Sequence, residues 1–364
     1  MRANPTENGF VMMSHSCHWR EILKVAAFTA AATATALCCS CATNSFGGRP
    51  PGRIGCLPSG FGAGFPDPEE LGVHAESEKN GLVYTCRAGP IDLAHVRKAA
   101  DWTRYLAGVA FDNMMDDRER FVFKLVAPSR YRVSLAYPAD WQALSREQKE
   151  HTAREVAVEL GQYFALVGTT WHEIITWYGY KSAVFIPEQQ SAFTWEDQFS
   201  NFLGTYVAGK ALADPNADFN EVVTSLLKEE LELLDAQSPV TARKAVGSIS
   251  LRTRYFDMGL DGRITPMLVE DLAECEGQEA QSYAVPGPDE ILSRRGFSLK
   301  LEIEPRIIES NKILEVVFPD GGGNQIEPKT HFSVIMQRIK EDAERKWPTV
   351  PAGLQPAQQL SNEQ

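Results

Sequence analysis

Gly161-Gln-Tyr-Phe-Ala165-Leu-Val-Gly168-Thr-Thr-Trp-His172-Glu173-Ile-Ile-Thr176-Trp-Tyr-Gly179 is the stretch on which the fold turns. Gly161, Ala165, Gly168, His172, Thr176 and Gly179 recur at spacings of four and three, which places them on one face of a helix. Small side chains in such a stripe let a second helix approach closely. Upstream, Ser145 with Gln148 three residues on has the form of a capping box, so the helix is expected from Ser145 to about Trp177. The next helix, opened by Thr194 and running to about Leu212, carries a matching stripe of Glu196, Ser200, Gly204 and Ala208. Facing stripes would bring His172 and Glu196 to the contact between the two helices.

Working outward, the pattern stays mixed. Pro90 suits the first turn of a helix reaching about Ala110. Phe121–Val126 and Tyr131–Tyr137, separated by Ala-Pro-Ser-Arg, read as a β-hairpin. Residues 219–235 place Val222, Val223, Leu226, Leu227, Leu231 and Leu234 on one face of an amphipathic helix. Ser298–Ile303 and Ile313–Phe318 are expected as strands, and Phe332–Lys346 as a last helix. No βαβ alternation or glycine-rich phosphate loop occurs. The expected class is α+β: one helix-rich main domain with a β-hairpin and a small β-containing C-terminal part.

The 364 residues carry a formal net charge of −12. Phosphate binding needs a local excess of Lys and Arg, and no strong cluster stands out along the chain, so a nucleic-acid partner is not expected. The first forty residues read as a discarded signal. Arg20 and Lys24 precede the uncharged run Val25–Leu37, and small residues follow. That run is too short for a membrane-spanning helix, which needs about 20 residues. Met12 and Met13 lie just upstream, and a start at Met13 gives a commoner signal length than Met1.

The run Leu37-Cys38-Cys39-Ser40-Cys41 resembles a bacterial lipobox, which implies that Cys41 becomes the lipidated first residue of the mature chain. Acyl chains contribute about 0.8 kcal/mol per buried methylene and hold a protein at a bilayer. Ala42, rather than Asp, follows Cys41, and by the same resemblance this favours the outer membrane. The expected organisation is residues 1–40 signal, 41–68 a Gly/Pro-rich tether, 69–347 a globular periplasmic domain and 348–364 a flexible tail. Cys56, Cys86 and Cys275 remain. An oxidising compartment favours one disulfide among them, and nearness in sequence points to Cys56 with Cys86.

Two histidines stand in unusual surroundings. His95 follows Asp92 at i,i+3, so a carboxylate one turn away can fix its tautomer. His172 sits in the small-residue stripe. A divalent-metal site follows as the sharp reading: His95, His172 and Glu196 as ligands to zinc, Glu173 as general base, and Asp92 behind His95. The zinc-peptidase motif H-E-x-x-H is absent, because Thr176 holds the second histidine's position. The plain alternative makes each histidine a structural hydrogen-bonding group, and Asp197 the capping partner of Thr194.

Four motifs, in order, carry a family resemblance. They are Cys86-Arg-Ala-Gly-Pro-Ile-Asp-Leu-Ala-His-Val-Arg97, Ala100-Asp-Trp-Thr103, Trp171-His-Glu-Ile-Ile-Thr-Trp-Tyr-Gly179 and Glu196-Asp-Gln-Phe-Ser-Asn-Phe-Leu-Gly204. Over roughly residues 50–350 the chain resembles an uncharacterised bacterial lipoprotein family, domain of unknown function 4056. The resemblance implies an envelope lipoprotein and supplies no activity. The expected function is a lipid-anchored, periplasm-facing envelope protein, with a metal-dependent hydrolase acting on an envelope component as the first reading. A non-catalytic binding or scaffolding protein is the alternative.

Overall fold

The computed structural model describes residues 43–50 and 64–347, apart from 126, 182–187, 250–252, 260 and 286. Cys41, Cys56 and the expected signal and tail lie outside these residues.

A three-helix core organises the chain. Helix α1, Leu93–Met115, starts where Asp92 caps it: the carboxylate accepts from the backbone N–H groups of Ala94 at 2.7 Å and His95 at 3.4 Å. Helix α2, Arg146–Trp177, opens on the Ser145/Gln148 capping box, with both reciprocal bonds formed. Helix α3 runs Asp197–Ala211 and α4 Phe219–Leu233, the latter capped by Asp218.

The two small-residue stripes do not face each other. Both face α1. A side chain on Gly161 would meet the Thr103 carbonyl oxygen at 2.6 Å, and one on Gly204 would meet that of Val96 at 2.1 Å. The reason is the length and apolar character of α1, whose Val96, Ala99, Ala100, Leu106, Ala107 and Ala110 are wholly buried. A helix buried on most sides needs close neighbours on more than one. Helices α2 and α3 still touch along a polar seam, where Gln162 donates to the Thr205 carbonyl at 3.0 Å.

A ribbon of β1 (Thr43–Asn44) and β2 (Gly47–Gly48) precedes the core. Strands β3 (Leu82–Thr85) and β4 (Gly89–Asp92) form a buried antiparallel pair leading into α1. Pro90, expected at the first turn of a helix, lies in β4 opposite Tyr84, and the helix begins three residues later. A two-stranded ribbon tolerates the missing N–H. Strands β5 (Arg120–Phe123) and β6 (Ser129–Ala136) form the expected hairpin.

Beyond α4, the chain adds α5 (Pro239–Ser248), the short pair β7 (Arg263–Ile264) and β8 (Tyr283–Ala284), and α6 (Pro288–Arg294). Strand β9, Ser298–Pro305, pairs antiparallel along the whole of β6, from Ser129↔Pro305 to Ala136↔Ser298. The C-terminal β-structure therefore completes the hairpin's sheet. Ile313–Phe318, expected as a strand, falls instead within and just after helix α7, Ser310–Val317. A short apolar run cannot be assigned by periodicity alone, and burial of Ile313 decides it. Helix α8, Pro328–Lys346, closes the fold. Trp171 stacks on Phe332 of α8 and donates its indole N–H to Ser129 of β6 at 3.0 Å, joining three elements. The architecture is α+β, with the helices predominating.

One disulfide is present among the described residues, joining Cys86 to Cys275 with Cα atoms 5.1 Å apart. The expected Cys56–Cys86 pairing is thereby corrected. Nearness in sequence is a poor guide where the chain returns: Gln281 N–H donates to the Arg87 carbonyl, bringing residues 275–281 beside β3 and β4.

A buried cluster of histidine and carboxylates

The candidate site lies where α1 and α3 begin and α2 ends. Asp92 is fully buried and works in three directions. It caps α1, its own N–H donates to Ser200 Oγ at 2.9 Å, and its second carboxylate oxygen lies 2.9 Å from His95 Nδ1. The i,i+3 spacing thus delivers the contact, and the cap holds the carboxylate in place.

Asp197 approaches the same nitrogen from α3, with Oδ1 3.4 Å from His95 Nδ1. Its Oδ2 accepts from the Thr194 hydroxyl at 2.7 Å and the Thr194 N–H at 3.2 Å. The Thr194 bonds and the histidine contact therefore use different oxygens of one carboxylate. Burial and Lys98 oppose charge on His95, but Asp92 and Asp197 outweigh them and raise its pKa above the ordinary imidazole value. Burial also raises Asp197, against the pull of His95 and Thr194.

Glu173, on the last turn but one of α2, is buried, and its Oε2 accepts the Phe193 N–H at 3.1 Å. Phe193 holds a φ of 58°, a left-handed conformation that bulky residues rarely adopt and that costs about 1–2 kcal/mol. The Glu173 bond and the Tyr255 N–H donated to the Phe193 carbonyl at 3.0 Å help hold it there. Burial, then the Asp197 charge, push the Glu173 carboxyl up to about 8. Glu196, at the cap position of α3, is likewise pushed up to about 8 by burial and Asp197. Both carboxyls are therefore largely protonated at neutral pH.

His172 is partly buried, its ring edge-on to Tyr180. Burial, with the charges of Lys98 and His95, pushes its pKa down to about 3, so it stays neutral. The two imidazoles thus feel each other but are tuned in opposite directions. Among the described residues, no group of three or more His, Cys, Asp or Glu side chains is arranged to hold a metal ion. His172 and Glu196 each feel the charge of His95, so the three share one electrostatic neighbourhood.

Several participants carry no sequence signal. Arg254, beyond α5, is buried, and its charge faces Asp197 and Glu196. Gln198 and Asn201 on α3 are fully buried, and among the described residues no group hydrogen-bonds either end of either amide. Elsewhere, buried His74 and half-buried Asp101 form a second pair at 2.8 Å, joining the segment before β3 to α1. Twenty-seven residues separate them, so no local spacing reveals the pair. Two surface cavities, of about 320 and 520 Å³, lie away from the His95 cluster.

The family model described as Protein of unknown function (DUF4056) matches residues 64–252. No curated protein and no solved structure matches the chain. The chain belongs to the DUF4056 family, and the matched span contains Asp92, His95, His172, Glu173, Glu196 and Asp197.

Proposed function

We propose that the chain is a bacterial envelope lipoprotein whose folded domain performs acid–base hydrolysis on an envelope component, with His95 as the proton-transfer group. The carrying observation is His95 Nδ1 set between Asp92 at 2.9 Å and Asp197 at 3.4 Å, beside two carboxyls with pKa values raised to about 8. Carboxylates at Nδ1 fix a tautomer with the proton on that nitrogen and leave Nε2 as the base. A carboxylic acid kept protonated at neutral pH is a ready proton donor, and groups whose environments push their pKa values apart supply both halves of acid–base chemistry. Nε2 of His95 takes a proton from water as its oxygen attacks, and Glu173 or Glu196 returns one to the leaving group. Export is supported by the order of features in residues 1–41 and by the Cys86–Cys275 disulfide, a bond of oxidising compartments.

The test uses the purified full chain with isolated envelope fractions, following product release by mass spectrometry. Release that is lost in His95→Gln and in Asp92→Asn supports the reading. No release from any fraction by wild-type protein contradicts it. Zinc on His95, His172 and Glu196 is a separate proposal: stoichiometric zinc after dialysis, lost in His172→Ala, would support it. A second functional reading, a lipid-anchored protein that binds or scaffolds without chemistry, is favoured by one observation. Both cavities lie away from the cluster.

A further inference from the structure

In a chain of net charge −12, the larger cavity has a basic lining. About 520 Å³ in volume, it is bordered by Arg49, Lys124, Arg130 and Arg132 together with Tyr105 and Val109, and no acidic residue lines it. Arg132 is paired with Glu304 at 2.7 Å, and Arg49 donates to the Leu125 carbonyl at 3.2 Å. Lys124 and Arg130 enter no ion pair among the described residues; Lys124 is exposed, and Arg130 is half-buried, opposite Glu304 in the β6–β9 register.

Its position relative to the chain's beginning gives the cavity meaning. Residues 43–50, part of the expected tether, are docked on α1. Asn44 donates its side-chain N–H to the Tyr105 carbonyl at 2.8 Å, and Arg104 donates to the Phe46 carbonyl at 2.6 Å. Asn44 Oδ1 in turn accepts from the N–H groups of Phe46 at 3.0 Å and Gly47 at 3.1 Å. Gly108 makes this seat. A Cβ there would come within 2.0 Å of Asn44 Oδ1. Phe46 packs edge-on against Phe111 while Arg154 covers both rings. Tyr105 and Val109, either side of that seat, line the cavity.

Asn44 lies three positions after Cys41, and three extended residues span at most about 11 Å. We infer that the docked segment 43–50 sets this basic face against the bilayer that holds Cys41, where the cavity receives phosphate groups of anionic lipids. The inference rests on the lipoprotein reading of Cys41. Each Lys or Arg near an anionic surface favours binding, and the attraction fades with salt. Exposed Val122, opposite Arg132 in the sheet register, adds an apolar contact at the same face.

The test needs no lipid on the protein. The chain from Thr43 onward holds every described element and lacks Cys41, so no acyl chain contributes. It is expected to sediment with phosphatidylglycerol vesicles at low salt, to release as salt rises, and to ignore pure phosphatidylcholine vesicles. The double variant Lys124→Glu/Arg130→Glu should weaken binding by about tenfold or more. Should that variant unfold, the neutral pair Lys124→Gln/Arg130→Gln gives the same reading in smaller measure. Equal binding to both vesicle types, or no binding, overturns the inference. Displacement by inorganic phosphate at constant ionic strength also overturns it, because the site would then serve a free anion. The mass of the exported N-terminus checks the underlying reading separately. A lipid-free Cys41 removes the anchoring reading and this placement together, whereas a lipidated Cys41 without vesicle binding removes this inference alone.

Discussion

Glu173 and Glu196 each have a folded-state pKa of about 8, well above the ordinary carboxyl value. Between those values the folded protein holds protons that the unfolded chain has released, so stability falls as pH rises across that window. His172 works in the opposite direction: with a folded pKa of about 3, it costs stability as pH falls below the ordinary imidazole value. Thermal unfolding should therefore show greatest stability in mildly acidic buffer on account of these three groups. Glu173→Gln or Glu196→Gln should flatten the decline between about pH 5 and 8, since an amide does not titrate in that range. An unchanged slope in both variants would mean that these carboxyls titrate normally. A second expectation concerns Asn201, a fully buried amide to which no described protein group bonds. Asn201→Leu should cost less than about 1 kcal/mol in denaturant unfolding, or stabilise, because no protein hydrogen bond is lost. A loss above about 2 kcal/mol would show instead that the amide is held by bridging water.

Helix α1 is the element that Gly161 and Gly204 let come close, and two substitutions separate that role from glycine's intrinsic cost. Gly204→Ala drives a methyl group to within 2.1 Å of the Val96 carbonyl oxygen and should destabilise by about 1–3 kcal/mol. At Gly247, inside α5, an added methyl group would meet no atom within 4 Å, so Gly247→Ala should stabilise by about 0.5–1 kcal/mol. Equal effects from both changes would contradict close packing at Gly204. The stripes themselves are legible in the sequence; their partner is not. Spacing identifies a helix face, but nothing local in Gly161 or Gly204 says which helix will occupy it. Asp92 and His95 are legible together because i,i+3 geometry acts within one helix. Asp197 reads as the partner of Thr194 and bonds it, yet its second oxygen reaches His95 only through the docking of α3 on α1. Arg254 and the His74–Asp101 pair depend wholly on tertiary return of the chain, so no spacing marks them.

At the scale of the whole molecule, the Cys86–Cys275 bond spans 189 residues and encloses every element from β4 through the short β7 strand. A closure of that length should contribute about 5 kcal/mol by chain entropy. Cys275→Ser should therefore lower the denaturant midpoint markedly, and a change under about 1 kcal/mol would show that residues 263–284 are held by packing alone. Non-reducing peptide mapping should recover the Cys86 and Cys275 peptides joined, leaving Cys56 unpaired with either. The α+β class is readable because helical periodicity and the β5–β6 hairpin are local signals. The joining of β9 to β6 is not, since Ala136 finds its partner in Ser298, with most of the helical core lying between them in sequence.

The central claim, that Asp92 and Asp197 hold the His95 proton on Nδ1 and raise its pKa while burial keeps His172 neutral, is tested most directly by imidazole ¹⁵N NMR. The protein is labelled at histidine, titrated across the acid to neutral range, and assigned with His95→Gln and His172→Gln. The account predicts that His95 titrates above the ordinary imidazole value with its proton retained on Nδ1, and that His172 stays neutral down to about pH 3. A His95 that titrates at or below the ordinary value, or a His172 that gains its proton near neutrality, would contradict it.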